Sequence, residues 1–199
     1  MTTNQIIKFL YSIVPDKISI VCSLGRTAQS VYNFFPNKTL FLDSMGDVIS
    51  TGCGVALGCK TKPVLAIDTD GSFLMGVTIL STLAAKRNEL NNFTILVLNN
   101  NIYESGGGLR STEIEPNWKL LGEAWELDIL EISSLEELKR SLEDSNFMKF
   151  RFIFLNIDNE NEPQVDSTKN IDGIESKYLF VRNLEFVLNR VILKPCLKN

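Results

Sequence analysis

Two short oxygen-rich stretches carry the chemistry of this chain. Asp70-Gly71-Ser72 follows an apolar run, Val64 to Ile67, and Asn99-Asn100-Asn101 follows a second, Thr94 to Leu98, with 27 residues between Gly71 and Asn99. A carboxylate and an amide carbonyl are hard oxygen ligands of the kind Mg²⁺ prefers beside phosphate oxygens and water. A main-chain carbonyl after Asn100 adds a third. Gly71 lets a ligand approach the backbone, and Ser72, with the helix start expected after it, offers donors to a phosphate. Metal and phosphate then meet at one point. On these residues alone, Asp70-Gly71 reads equally well as a turn and the asparagine run as a helix-entry loop of an ordinary α/β domain.

The elements that must position these loops are legible as apolar runs. Stretches rich in Val, Ile and Phe recur at Ile18 to Cys22, Thr39 to Leu42, Val64 to Ile67, Thr94 to Leu98 and Phe152 to Ile157, separated by helical segments. Their hydrophobicity is continuous rather than alternating, as in strands covered on both faces. The fold class is therefore α/β, a doubly wound, mostly parallel sheet flanked by helices, with ligands at the carboxyl ends of the strands. Apolar residues at Phe73, Leu74, Val77, Leu80, Leu83 and Ala84 predict one helix over Phe73 to Lys86, capped by Ser72. Ser133 to Ser141 reads as a helix capped by Ser133 or Ser134, with Glu136 and Glu137 in its first turn. Asp158 to Asp172, with five acidic residues and Pro163, reads as a solvated crossing loop, and Ile174 to Leu193 as a terminal helix.

Composition removes several classes of function. A formal net charge of −4 gives no global basic field, which argues against nucleic acid and anionic membrane surfaces. No apolar run approaches the roughly 20 residues that span a bilayer, and the first ten residues lack a signal-peptide pattern. A soluble, cytoplasmic chain of 199 residues forming one domain is expected. The sequence contains no histidine, so a Ser-His-Asp triad, a Cys-His pair and an HExxH zinc site are all excluded. Cys22, Cys53, Cys59 and Cys196 are scattered and read as free thiols, buried like small hydrophobes. Any hard chemistry must come from a cofactor, a partner chain or both.

The order of motifs is similar to that of thiamine-diphosphate enzymes. Asp70-Gly71-Ser72 and the Asn99-Asn100 pair resemble their Mg²⁺-anchoring motif. The surroundings sharpen the likeness: Asp43-Ser44-Met45-Gly46, a small-residue helix Gly52 to Gly58, and Asn100-Asn101-Ile102-Tyr103-Glu104-Ser105-Gly106-Gly107. This order resembles the sulfopyruvate and phosphonopyruvate decarboxylases, whose stretches read GSMG, GDGS and DNxAYxSTGG, over about Ile18 to Thr112. The resemblance implies that residues 1–199 form a single diphosphate-binding (PP-type) domain. It further implies Asp70, the Asn100 side chain and the Ile102 carbonyl as Mg²⁺ ligands, with Gly71, Ser72 and Tyr103 on the cofactor. Met45 matches the apolar residue that wedges the cofactor into its folded, reactive shape, and the Asp43 carbonyl, Ser44 and the Met45 amide match contacts to its pyrimidine. Three positions depart from the pattern: Thr69 stands for the first glycine of GDG, Asp43 for the glycine of GSMG, and Asn99 for the aspartate before the metal asparagine.

Such enzymes also need a pyrimidine-binding half, for which this chain has no room. The likeness therefore implies a separate α subunit, a hetero-oligomer and a site at the subunit interface. The implied reaction is thiamine-diphosphate- and Mg²⁺-dependent decarboxylation of a small anionic 2-oxoacid, such as sulfopyruvate or phosphonopyruvate. Arg26 and Arg110 are candidate clamps for the anionic tail, because guanidinium matches such oxygens bidentately. Glu104, where the family usually has glycine, is expected to repel an anionic substrate. Gly106-Gly107-Gly108 reads as a flap or a flexible turn. Other readings are a thiamine-diphosphate carboligase subunit, a non-catalytic cofactor-binding subunit, and a flavodoxin-like module with no thiamine.

Overall fold

A computed structural model of the chain describes residues 1–23, 25–143, 147–158 and 172–193. Cys196 and most of the expected crossing loop lie outside the described residues. Every apolar run of the sequence becomes a parallel strand: β1 (Ser19–Ser23), β2 (Thr39–Leu42), β3 (Val64–Thr69), β4 (Phe93–Asn99) and β8 (Arg151–Asn156). The runs ended early in the reading of β3 and β4, because Asp68, Thr69 and Asn99 are polar yet remain paired in the sheet. A sixth parallel strand, β7 (Ile129–Ile132), was not read from the sequence. Its four residues bury only the two ends of the pattern, with Leu130 and Glu131 exposed between them, so no continuous apolar run marks it. The order is β2-β1-β3-β4-β8-β7, with a separate antiparallel hairpin of β5 (Ile102–Tyr103) and β6 (Leu109–Arg110).

Helices cover both faces. On one side Ile6 and Leu10 of α1 (Thr3–Ile13), Val31 of α2 (Arg26–Phe34) and Leu138 of α7 (Leu135–Leu142) pack on Ile20, Cys22 and Ile67. On the other lie α3 (Val48–Gly58), α4 (Asp70–Met75), α5 (Ile79–Lys86), α6 (Trp118–Glu123) and α8 (Gly173–Leu188), whose Cys53, Phe73, Leu83, Trp118 and Phe180 meet Val21, Ala66 and Val97. Two apolar cores with the sheet between them explain why the strands read as unbroken hydrophobic runs. Cys22, Cys53 and Cys59 are free and buried, as expected. No described helix is long and apolar enough to cross a membrane.

The helix expected over Phe73 to Lys86 is instead two. It begins earlier, at Asp70, with Thr69 as its extended N-cap residue, so Ser72 is inside the first turn and is not the cap. It breaks at Gly76, where a Cβ would lie 2.1 Å from the carbonyl oxygen of Gly46. That contact comes from thirty positions away, and the apolar spacing runs across the break without betraying it. The helix after β7 is capped by Ser134, whose Oγ accepts from the Glu137 N–H at 3.2 Å. The terminal helix stops at Leu188, before Asn189 in the left-handed region at φ 51°.

Candidate functional site

The carboxyl ends of β1, β2, β3 and β4 deliver their loops to one cleft of about 290 Å³. Asp70, the first residue of α4, is fully buried behind the cleft wall, between Thr69 and Gly71, which both line it. Ser111 Oγ, just past β6, donates to its Oδ2. Its Oδ1 is buried and makes no hydrogen bond of ordinary geometry among the described residues. Burial pushes the Asp70 carboxyl up, against the Ser111 hydroxyl and the backbone N–H groups of Asn100, Gly71 and Asp70, which pull it down. A buried carboxylate with one oxygen unmatched is costly as it stands. A cation on Oδ1 removes that cost, and the oxygen fits a hard one.

Among the described residues no three His, Cys, Asp or Glu side chains converge, so a metal here would need a mixed set of carboxylate, amide and carbonyl oxygens. Asn100, on the β4–β5 loop beside Asp70, is the residue that could offer the amide. Its Oδ1 accepts from the Ile102 N–H and its Nδ2 donates to Glu104 Oε1, both at 3.2 Å. Asn99 turns the other way, donating at 2.9 Å to Asn156 Oδ1 on β8. Its side chain serves the sheet, which is why an asparagine is accommodated there. Asn101 adopts φ 59°, a left-handed conformation that asparagine tolerates, and turns the chain into the hairpin.

Tyr103 lays its ring on Gly71: a Cβ at that glycine would sit 2.3 Å from Tyr103 Cε1. The close backbone approach expected at Gly71 is thus made by an aromatic edge. Ser72 is buried, and its Oγ accepts from the Gly46 N–H at 3.0 Å, tying the start of α4 to the loop that carries Asp43, Ser44 and Met45. Ser72 therefore fixes a loop in this structure. Gly46, at φ +90°, and Gly76 meet backbone to backbone, so the same loop is clamped twice. Met45, left 41% exposed, stands on the cleft wall with Asp43 and Ser44. Thr69, in extended backbone that suits a β-branched residue, lines the cleft as well.

Arg26 enters from the first turn of α2. Its Nε donates to both carboxylate oxygens of Glu104, at 3.0 and 3.2 Å, and the pair bridges the β1 and β4 sides of the cleft. The negative charge of Glu104 is matched by a guanidinium, which corrects the expectation of bare repulsion. Arg110 does not line this cleft. It borders an adjoining cavity of about 280 Å³ with Asn101, Thr112 and Glu115. The structure thus brings Asp43, Ser44, Met45, Asp70, Gly71, Ser72, Asn100, Ile102, Tyr103 and Arg26 to one place and leaves Arg110 outside. Sequence reasoning missed Ser111, whose link to Asp70 spans 41 positions and follows no periodicity.

Comparison with known proteins is consistent with this geometry. Residues 21–156 match the family described as thiamine pyrophosphate enzyme, C-terminal TPP binding domain. The chain is 31% identical over 144 residues to the sulfopyruvate decarboxylase subunit beta of Methanocaldococcus jannaschii, covering 71% of this chain and 75% of that one. It is 33% identical over 100 residues to the phosphonopyruvate decarboxylase of Streptomyces hygroscopicus, covering 49% of this chain but only 24% of the other. In fold it resembles a solved protein of Mycobacterium smegmatis described as a thiamin diphosphate-dependent enzyme, with a TM-score of 0.67 at 20% identity over 82% of this chain and 32% of that one.

Proposed function

We propose, on the premise that this chain belongs to the thiamine pyrophosphate enzymes and carries their C-terminal cofactor-binding domain, that it is the diphosphate-binding subunit of a cytoplasmic, Mg²⁺-dependent decarboxylase of small anionic 2-oxoacids such as sulfopyruvate or phosphonopyruvate. Family membership displaces the flavodoxin-like reading. The observation that carries the proposal is the buried Asp70 carboxyl, its Oδ1 without a hydrogen bond of ordinary geometry among the described residues, directly behind a cleft whose loops hold Asn100, Ser72 and Met45. The residues present fit the cofactor and its metal. Residues 1–199 act as one such domain.

In this reading Asp70, the Asn100 amide oxygen and the Ile102 carbonyl hold Mg²⁺, with Ser111 orienting the Asp70 carboxylate. Gly71, Ser72 and Tyr103 face the diphosphate. Met45 supports the folded cofactor from the cleft wall, while the Asp43 carbonyl, Ser44 and the Met45 amide orient its pyrimidine. Bound thiamine diphosphate supplies the electron sink that loss of CO₂ requires. Arg26, inside the cleft, is the residue placed to meet a sulfonate or phosphonate tail. The pyrimidine-binding half is a separate α subunit, and the active site forms between the two chains.

The proposal is tested by calorimetric titration of thiamine diphosphate with Mg²⁺ into the chain assembled with its partner, comparing wild type with Asp70→Ala. Wild type binds and releases CO₂ from a 2-oxoacid, whereas Asp70→Ala loses binding by at least about tenfold. Absence of binding by the assembled wild type overturns the reading.

A further inference from the structure

Glu104 is a costly residue to place beside a cleft built for anions, and its contacts give a reason for it. Its Oε1 accepts from Asn100 Nδ2 at 3.2 Å while both its oxygens accept from Arg26 Nε. The two ends of an asparagine amide have nearly the same shape and opposite hydrogen-bonding character. A carboxylate only accepts, so it faces the –NH₂ end of Asn100. The Ile102 N–H only donates, and it faces the oxygen end at 3.2 Å. Together these neighbours exclude the flipped amide, which would turn N–H hydrogens toward a cation. Arg26, in turn, neutralises the charge that the carboxylate brings; the two side chains are 20% and 29% exposed, largely sheltered from solvent.

We infer that Glu104 is a positioning residue for the metal, fixing the amide of Asn100 with its oxygen presented to a hard cation, while the ion pair with Arg26 offsets the charge of the carboxylate. The inference rests on the Mg²⁺ site proposed above. It assigns Glu104 a role that acts through Asn100, and it separates that role from any contact of Arg26 with substrate.

The test is titration of Mn²⁺, visible by electron paramagnetic resonance, into the assembled enzyme saturated with thiamine diphosphate. Glu104→Ala and Glu104→Met both remove the acceptor, the second keeping the bulk of the stem should the first not fold. Each weakens Mn²⁺ by about tenfold, the usual effect of removing a group that orients a metal ligand. Glu104→Gln retains a carbonyl for Asn100 Nδ2 and gives up the charge facing Arg26, and Arg26→Met removes the ion pair from the other side. Both stay within about threefold of wild type, so the conservative variant rescues the metal site. Wild-type affinity in Glu104→Ala and Glu104→Met overturns the inference. So does a tenfold loss in Glu104→Gln or Arg26→Met, which would make charge rather than amide orientation the cause. Failure of the wild type to bind Mn²⁺ at all overturns the Mg²⁺ site itself, and this inference with it.

Discussion

Asp68, two residues before the candidate metal ligand, is a second buried carboxyl on β3. Its Oδ1 accepts from the Thr69 N–H at 2.9 Å, and its Oδ2 is buried without a hydrogen bond of ordinary geometry among the described residues. Burial pushes it up to about 6 from an ordinary value of 3.8, with the nearby charge of Asp70 in the same direction and hydrogen bonds from Ser72 and Thr69 opposing. A carboxyl whose folded value is raised contributes stability in full below its unfolded value, and loses it as pH rises through the folded value. In the metal-free chain, wild type should therefore lose up to about 3 kcal/mol relative to Asp68→Asn between about pH 4 and pH 7.5. Urea unfolding of both chains across that range checks it; parallel curves would mean that Asp68 does not titrate between the two states. Single residues were the most legible scale of the site. Asp70, Asn100 and Ser72 announced themselves by type and spacing, and Met45 only through the family resemblance. Glu104 stood out only as a departure from the family pattern; its pairing with Arg26, 78 positions away, leaves no sign in the spacing.

At the scale of elements, the loop bearing Met45 is held by one glycine meeting another. A Cβ on Gly76 would lie 2.1 Å from Gly46 O and 2.8 Å from its carbonyl carbon, and backbone atoms cannot swing aside. Gly76→Ala should cost about 2 kcal/mol or more, as overpacking against backbone does. Gly54→Ala is the control: a Cβ there meets nothing within 4 Å inside α3, so the chain should gain about 0.5–1 kcal/mol from helix propensity. Urea unfolding of the two variants separates the cases, and equal effects would remove the special role of the Gly46–Gly76 contact. The same contact explains a misread helix. Phe73 packs edge-on against Trp118 and Phe154, at 5.8 and 5.3 Å between ring centres, and Leu80 and Leu83 follow on the same apolar side. The apolar face thus continues through a break that only tertiary packing imposes. Strands were legible where both faces are covered; β7, half exposed at the sheet edge, was not.

For the whole molecule, strand order sets the site. The chain leaves β1 for β2 on one side and returns across it to β3 on the other, so the loops after β1 and β3 diverge and open a crevice between them. Arg26 and Asp70 begin the helices that follow these two strands. The apolar pattern of the sequence puts ligands at the carboxyl ends of the strands; the strand order and the crevice it opens rest on tertiary pairing that no local pattern carries. The two-sided core has a further consequence, for cysteine reactivity. Cys22 sits inside β1, paired with Phe41 on one side and Ile67 on the other, and Cys53 and Cys59 lie against the opposite face. Burial pushes all three thiols up, that of Cys22 the more strongly, with Asp68 adding to it. Alkylation needs an accessible thiolate. In a Cys196→Ser background, reagent uptake at Cys22 should therefore act as a clock for opening of the sheet centre, slower than uptake at Cys53 and Cys59 and slowed again by thiamine diphosphate with Mg²⁺. Mass spectrometry of timed aliquots reads it, and labelling of Cys22 at the pace of a free thiol would contradict it. The fold carries its own stability gauge at its centre, in three sulfurs for which the proposed chemistry has no use.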